Sequence, residues 1–134
     1  MAYKFLLDTS VLSDLVRHPQ GAIFQRIATV GEDRVCTSII VSSELRFEAV
    51  KSGSARLIQQ LEQILEVLPV LALEPPVDRY YAVIRTHLER AETPIGPNDL
   101  LIAAHALALD LTLVTANTSE FEEMPGLSLE NWPI

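Results

Sequence analysis

The sequence predicts an α/β fold: a three-layer α/β/α domain with a mostly parallel central sheet of four or five short strands. Two observations carry this. Short apolar or β-branched runs alternate with longer segments whose apolar residues recur at helical spacing. The short runs are apolar almost throughout, as strands covered on both faces are. A chain of 134 residues, 49% hydrophobic, is sized for one such domain with a substantial core, spanning residues 1–134.

The elements follow in order. Residues 3–7 form the first strand candidate, and Val11, Leu12, Leu15 and Val16 then fall on one helical face. His18-Pro19-Gln20-Gly21 breaks that helix. A second helix carries Ile23, Phe24, Ile27 and Ala28 and stops at Gly31. Arg34-Val35-Cys36-Thr37 reads as the second strand, and Ser38 caps a helix running to about Ser52, with Gly53 as its stop. Ser54 caps the next helix, whose stripe is Leu57, Ile58, Leu61, Ile64, Leu65 and Leu68. With no strand between them, these two helices form a hairpin beside the sheet. Val70-Leu71-Ala72-Leu73 is the third strand. Pro75-Pro76 opens a helix with Tyr80, Tyr81, Val83, Ile84 and Leu88 mostly on one side. After the rigid turn Thr93–Pro97, residues 98–109 are apolar nearly all round, the mark of a buried helix. Thr112–Thr115 is a strand, and Leu127-Ser128-Leu129 a last short one.

Composition narrows the function classes. Cys36 is the single cysteine, so no internal disulfide forms, which fits a reducing compartment. Asp8 interrupts the apolar run near the start, and no stretch is long and uncharged enough to span a bilayer. The expectation is a cytoplasmic protein with no membrane partner. The formal net charge is −8. That disfavours nucleic acid unless a bound cation or a local Arg/Lys patch inverts the field.

Three carboxylates look misplaced. Asp8 ends an apolar strand, Glu44 sits in the second turn of a helix that opens strongly apolar, and Asp99 lies in the first turn of the most apolar helix. Each has a local explanation: a helix cap, a solvated helix face and a dipole partner, respectively. Together they form a pattern. In an open parallel sheet, strand carboxyl ends and the starts of following helices share one edge. Acids gathered there repel unless protonated or bridged by a cation. Mg²⁺ and Mn²⁺ take oxygen sites of this kind, and a water acidified by such a metal can attack a phosphodiester. Thr115, Asn117 and Glu120 follow the last good strand and can reach the same edge, although Asx or Ser/Thr turns would also explain them.

At this point the chain resembles a known family. The segments LLDTS, SELRFEA, TPIGPNDLLIAAHALAL and LTLVTANTSEF, closing on GLSLENW, are similar to the PIN-domain ribonucleases, and among these to the VapC toxins of bacterial type II toxin–antitoxin pairs. The resemblance runs over essentially the whole chain. GPNDLLIAAHA is its most specific part. It implies a Mg²⁺- or Mn²⁺-dependent endoribonuclease and a homodimer. It also implies neutralisation by a small VapB-like antitoxin, and contact with DNA only through the antitoxin complex. The family's target class suggests tRNA as the RNA substrate.

The family's acidic positions fall on Asp8, Glu44 and Asp99, which the resemblance makes both catalytic and metal-binding. A fourth position, often acidic, falls on Asn117, which departs by carrying no charge; Glu120 can compensate. Ser10 stands where Asn is common. Glu48 stands where many relatives have Gly and is expected to face solvent.

Other residues read as structural or as lesser candidates. His105, in the buried helix, has no second histidine at ligand spacing and is expected to be a satisfied core histidine. Cys36 packs as a small hydrophobe. Arg46 is a candidate for positioning RNA, as are Ser10 and Thr115. A haloacid-dehalogenase-type phosphatase needs a second Asp two residues after the first, where this chain has Ser10. A phosphoreceiver needs an acidic pair before its Asp, which is missing. The remaining alternative is a non-catalytic PIN-like module that binds RNA or protein.

Overall fold

The computed structural model describes residues 2–134. Five parallel strands, β1 (Phe5–Leu7), β2 (Val35–Ser38), β3 (Val70–Leu71), β4 (Thr112–Thr115) and β5 (Leu129–Asn131), form one sheet in the order β3-β2-β1-β4-β5. Six helices intervene: α1 (Thr9–Arg17), α2 (Ala22–Val30), α3 (Ile39–Ser52), α4 (Ala55–Val67), α5 (Val77–Arg90) and α6 (Pro97–Ala108). Phe5, Leu6 and Leu7 are all buried although successive side chains point to opposite faces, so helices cover the sheet on both sides. The predicted three-layer α/β/α arrangement is the one found.

The chain builds outward from β1 through β2 to β3, then returns to place β4 on the other flank of β1. The order reverses between β1 and β4, and the crevice beyond their carboxyl ends is where such sheets bind ligands.

Local chemistry sets most boundaries. Ser38 Oγ accepts from the Ile40 N–H at 3.1 Å, and Ser54 Oγ accepts from the Leu57 N–H at 3.1 Å, so both predicted serine caps form. Gly53 ends α3 in the left-handed conformation, with φ 67°. Pro97 occupies the first position of α6, where its missing N–H leaves no bond unmade.

Other boundaries differ from expectation. The third strand keeps only two of four expected residues, because it lies at the sheet edge with a single neighbour and runs into Pro75 and Pro76. The last strand begins at Leu129 rather than Leu127: Gly126 turns at φ 79°, and pairing starts with Leu113 N–H to Ser128 O. Just beyond it Trp132 is fully buried, 5.4 Å from the Phe5 ring, and donates its indole N–H to Glu130. The helical stripes overstate burial. Leu61 is the buried member of α4, while Phe24 on α2 and Val83 on α5 are 47% and 63% exposed. These helices form outer layers, each with only part of its apolar face against the sheet.

His105 is buried, with Nδ1 2.9 Å from Ser38 Oγ, and burial holds its basicity below the ordinary histidine value. Cys36 is buried and its thiol is pushed up to about 12 by desolvation. Both serve the core. No helix among the described residues is long and apolar enough to cross a membrane.

Candidate active site

A cleft of about 320 Å³ opens at the reversal point of the sheet. Asp8, Thr9, Ser10 and Ser13 line it from the β1–α1 junction, Glu44 and Glu48 from α3, Asp99 from α6, and Asn117 and Glu120 from the segment after β4. Asp8, Glu44, Asp99, Asn117 and Glu120, from four separate segments, thus share one cavity.

Asp8 stands at the cap position of α1 yet makes no capping hydrogen bond, so the local explanation for it fails. Its residue is 5% exposed. One oxygen, Oδ2, accepts from Thr115 Oγ1 at 2.9 Å; the other, Oδ1, is buried without any hydrogen-bond partner. An ionised oxygen left in this state is costly. Burial accordingly raises the Asp8 carboxyl above its usual range, and the Glu44 and Glu120 charges add to this. The neighbouring Thr9 N–H and the Thr115 hydroxyl offset part of the effect.

Asp99 occupies the third position of α6, where the dipole favours a negative charge. The surroundings outweigh the dipole. Burial and then the charges of Asp8, Glu120 and Glu44 lift its carboxyl to about 6. Glu44 lies between neutral donors: Thr9 Oγ1 donates to Oε1 at 2.5 Å and Asn98 Nδ2 to Oε2 at 3.3 Å.

The segment after β4 is fixed from below. Thr115 Oγ1 accepts the Asn117 N–H at 3.1 Å, and Ser10 Oγ accepts the Ala116 N–H at 3.1 Å. Asn117 Oδ1 accepts from the Ser119 hydroxyl at 2.9 Å, which leaves its Nδ2 as a neutral donor at the cleft.

Two residues expected to position substrate lie outside the cleft lining. Arg46 lies two residues beyond Glu44 on α3, on another helix face, and pairs with Glu62 of α4 outside the cleft. It does not line the cleft. Thr115 is fully buried and touches Asp8 rather than the cavity, so its role is to orient that carboxylate. Glu48 is exposed, as expected, and also lines the cleft. Thr9 and Asn98 were not expected at the site. Both flank a site acid in sequence, and that adjacency is the signal that could have marked them.

Among the described residues, no three Asp, Glu, His or Cys side chains approach closely enough to hold a metal ion directly as they stand. Like charges facing one another across a cavity spread apart. The donor set still fits a hard divalent cation: it is all oxygen, it includes the unpartnered buried Oδ1, and its charges repel in the absence of a counter-ion. The cavity also has room for the waters such ions retain, at about 30 Å³ each.

The raised Asp99 carboxyl has a direct consequence for the cation-free protein. The folded state holds this proton more tightly than the unfolded chain, whose ordinary value is 3.8, so stability falls as pH rises between about 4 and about 6. Urea unfolding in chelator across this window is expected to give a shallower pH slope for Asp99→Asn than for wild type. Equal slopes would show that Asp99 is not held among like charges.

A five-stranded parallel sheet whose strand ends gather carboxylates around an open cleft is the architecture of the PIN-fold nucleases. The chain belongs to the PIN domain family, whose profile matches residues 5–127. It is 35% identical to ribonuclease VapC2 of Rickettsia felis over 130 residues, covering 96% of this chain and 97% of the relative. It is also 35% identical to the tRNA(fMet)-specific endonuclease VapC of Salmonella typhimurium, covering 96% and 98%. Among solved structures, VapBC2 of Rickettsia felis bound to a promoter DNA fragment contains a chain that superposes with a TM-score of 0.90 at 33% identity, covering 98% of this chain and 99% of that one. The DNA-bound VapBC of Salmonella typhimurium gives 0.87 at 34%, covering 97% and 98%.

Proposed function

We propose that this chain is a divalent-cation-dependent endoribonuclease and the toxin of a toxin–antitoxin pair. The observation that carries the reading is the free Oδ1 of buried Asp8, facing the like charges of Glu44, Asp99 and Glu120 in a chain related over its full length to VapC ribonucleases. Asp8, Asp99 and Glu44 would hold Mg²⁺ or Mn²⁺. When bound, such a cation supplies positive charge for a phosphate and lowers the pKa of water.

The chain's own residues do the rest. Thr115 holds one oxygen of Asp8 while the other stays free. Glu120 adds the charge that Asn117 lacks. The Asn117 Nδ2 is a neutral donor suited to a phosphate oxygen, which the surrounding carboxylates would otherwise repel. RNA is the substrate, and the named target of the Salmonella relative makes tRNA the class to test first.

The partner reading is a small VapB-like antitoxin, with the toxin as a homodimer and DNA contact only through the antitoxin. Ser13 and Glu48 line both the acidic cleft and a shallow groove between α1, α3 and α4, where Val16, Leu45 and Leu57 are apolar. That continuity would let one antitoxin chain lay an apolar segment in the groove and a basic side chain at the acids.

The test is incubation of the purified protein with total tRNA, with chelator or with Mn²⁺. Cleavage confined to the Mn²⁺ arm, and suppressed by the antitoxin encoded beside the gene, is expected. RNA binding without cutting in either arm would favour the non-catalytic module.

A further inference from the structure

We infer that Asn98 is a positioning residue: together with Thr9 it clamps the Glu44 carboxylate at the acidic cleft, and through Glu44 it sets the affinity of the cleft for a divalent cation. The inference rests on the proposed cation site and extends it to a residue outside the acidic set.

Glu44 is by construction more mobile than Asp8 or Asp99. Its carboxylate ends a side chain with three rotatable bonds, it is only half-buried, and it faces Asp8 and Asp99, which carry the same charge. Repulsion and rotamer entropy both favour swinging it out to water. Two neutral donors oppose this, one on each oxygen: Thr9 Oγ1 on Oε1 and Asn98 Nδ2 on Oε2. They come from the starts of two different helices, at sequence separations of 35 and 54 from Glu44.

Each donor is also the chain neighbour of another site acid. Thr9 follows Asp8, and Asn98 precedes Asp99. Holding Glu44 at these two points therefore fixes three carboxylates relative to one another. Neutral donors are the residue types this requires. A Lys or Arg would compete with the cation for the carboxylate, and an Asp would repel it. Each bonded oxygen keeps a lone pair for a metal. Asn98 itself is exposed, so its amide does no work in the core.

The experiment is titration of the full chain with Mn²⁺, following free ion by electron paramagnetic resonance. Wild type, Asn98→Leu, Asn98→Gln, Glu44→Gln and the Glu44→Gln/Asn98→Leu double variant are compared. Asn98→Leu is expected to bind Mn²⁺ about 10-fold more weakly, at the lower end for an outer-shell partner. Its melting temperature in chelator should equal that of wild type. Asn98→Gln, which keeps an amide donor, should recover most of the affinity. On the Glu44→Gln background, Asn98→Leu should add no further loss, because the charged carboxylate that Asn98 positions for the cation is already gone.

Wild-type affinity in Asn98→Leu overturns the clamp while leaving the cation site standing. So does an equal loss with and without the Glu44 carboxylate. Absence of Mn²⁺ binding by wild type overturns the cation site and the clamp together.

Discussion

Replacing Asp99 by Asn is expected to abolish RNA cleavage while leaving the fold intact. The change is nearly isosteric and keeps an oxygen in the first turn of α6, so packing around buried Leu100, Ile102 and Ala103 survives. Loss of the dipole partner costs less than about 1 kcal/mol. Relief of repulsion from Asp8, Glu120 and Glu44 works in the opposite direction. Activity should respond very differently. Without this charge a cation at the proposed site would be lost or misplaced, and a drop on the order of 10³-fold corresponds to about 4 kcal/mol of transition-state stabilisation. Cleavage of total tRNA in Mn²⁺, alongside circular dichroism of the same preparation, separates the two effects. A folded Asp99→Asn protein that cuts like wild type would remove Asp99 from the site.

Asp8→Asn should invert the order of stabilities as cation is added. In chelator the variant is expected to melt above wild type, since it no longer buries a charge whose Oδ1 has no partner. Relief on the order of 1–2 kcal/mol is typical when an active-site residue is traded for stability, which for a chain of this size is roughly 3–8 °C. Wild type then gains with Mn²⁺ by linkage, about 1.4 kcal/mol at ten times Kd and about 2.7 at one hundred times Kd. The variant should not gain, so the two melting curves cross during the titration. Scanning fluorimetry over a Mn²⁺ series would show the crossing. If Asp8→Asn is the less stable protein in chelator, the Asp8 carboxylate is not strained by its surroundings.

Much of this was legible in the sequence because it is written locally. The serine caps at Ser38 and Ser54 and the Gly53 stop are short-range signals, and the structure follows each. The acids were legible for a different reason: Asp8 and Asp99 adjoin runs that the core must bury, so the carboxylates stand out as exceptions. What was not legible depends on tertiary neighbours. Arg46 could be placed on a helix with Glu44, but its partner Glu62 belongs to another helix 16 residues on. Thr115 reads as a strand residue, and its bond to Asp8 spans 107 positions. The stripe on α4 predicts a buried face, yet how much of it meets the core is decided by where α1 and α3 lie. The edge strand β3 shortens because a strand with one neighbour has half the pairing to hold it.

The proposed divalent-cation site at the strand ends is tested most directly by the Mn²⁺ stoichiometry and affinity of the purified chain, set beside Asp8→Asn and Asp99→Asn, with folding of each confirmed by circular dichroism. Saturable Mn²⁺ binding by wild type, lost in both variants, is expected. Folded wild-type protein that binds no Mn²⁺, or variants that bind it as wild type does, would contradict it.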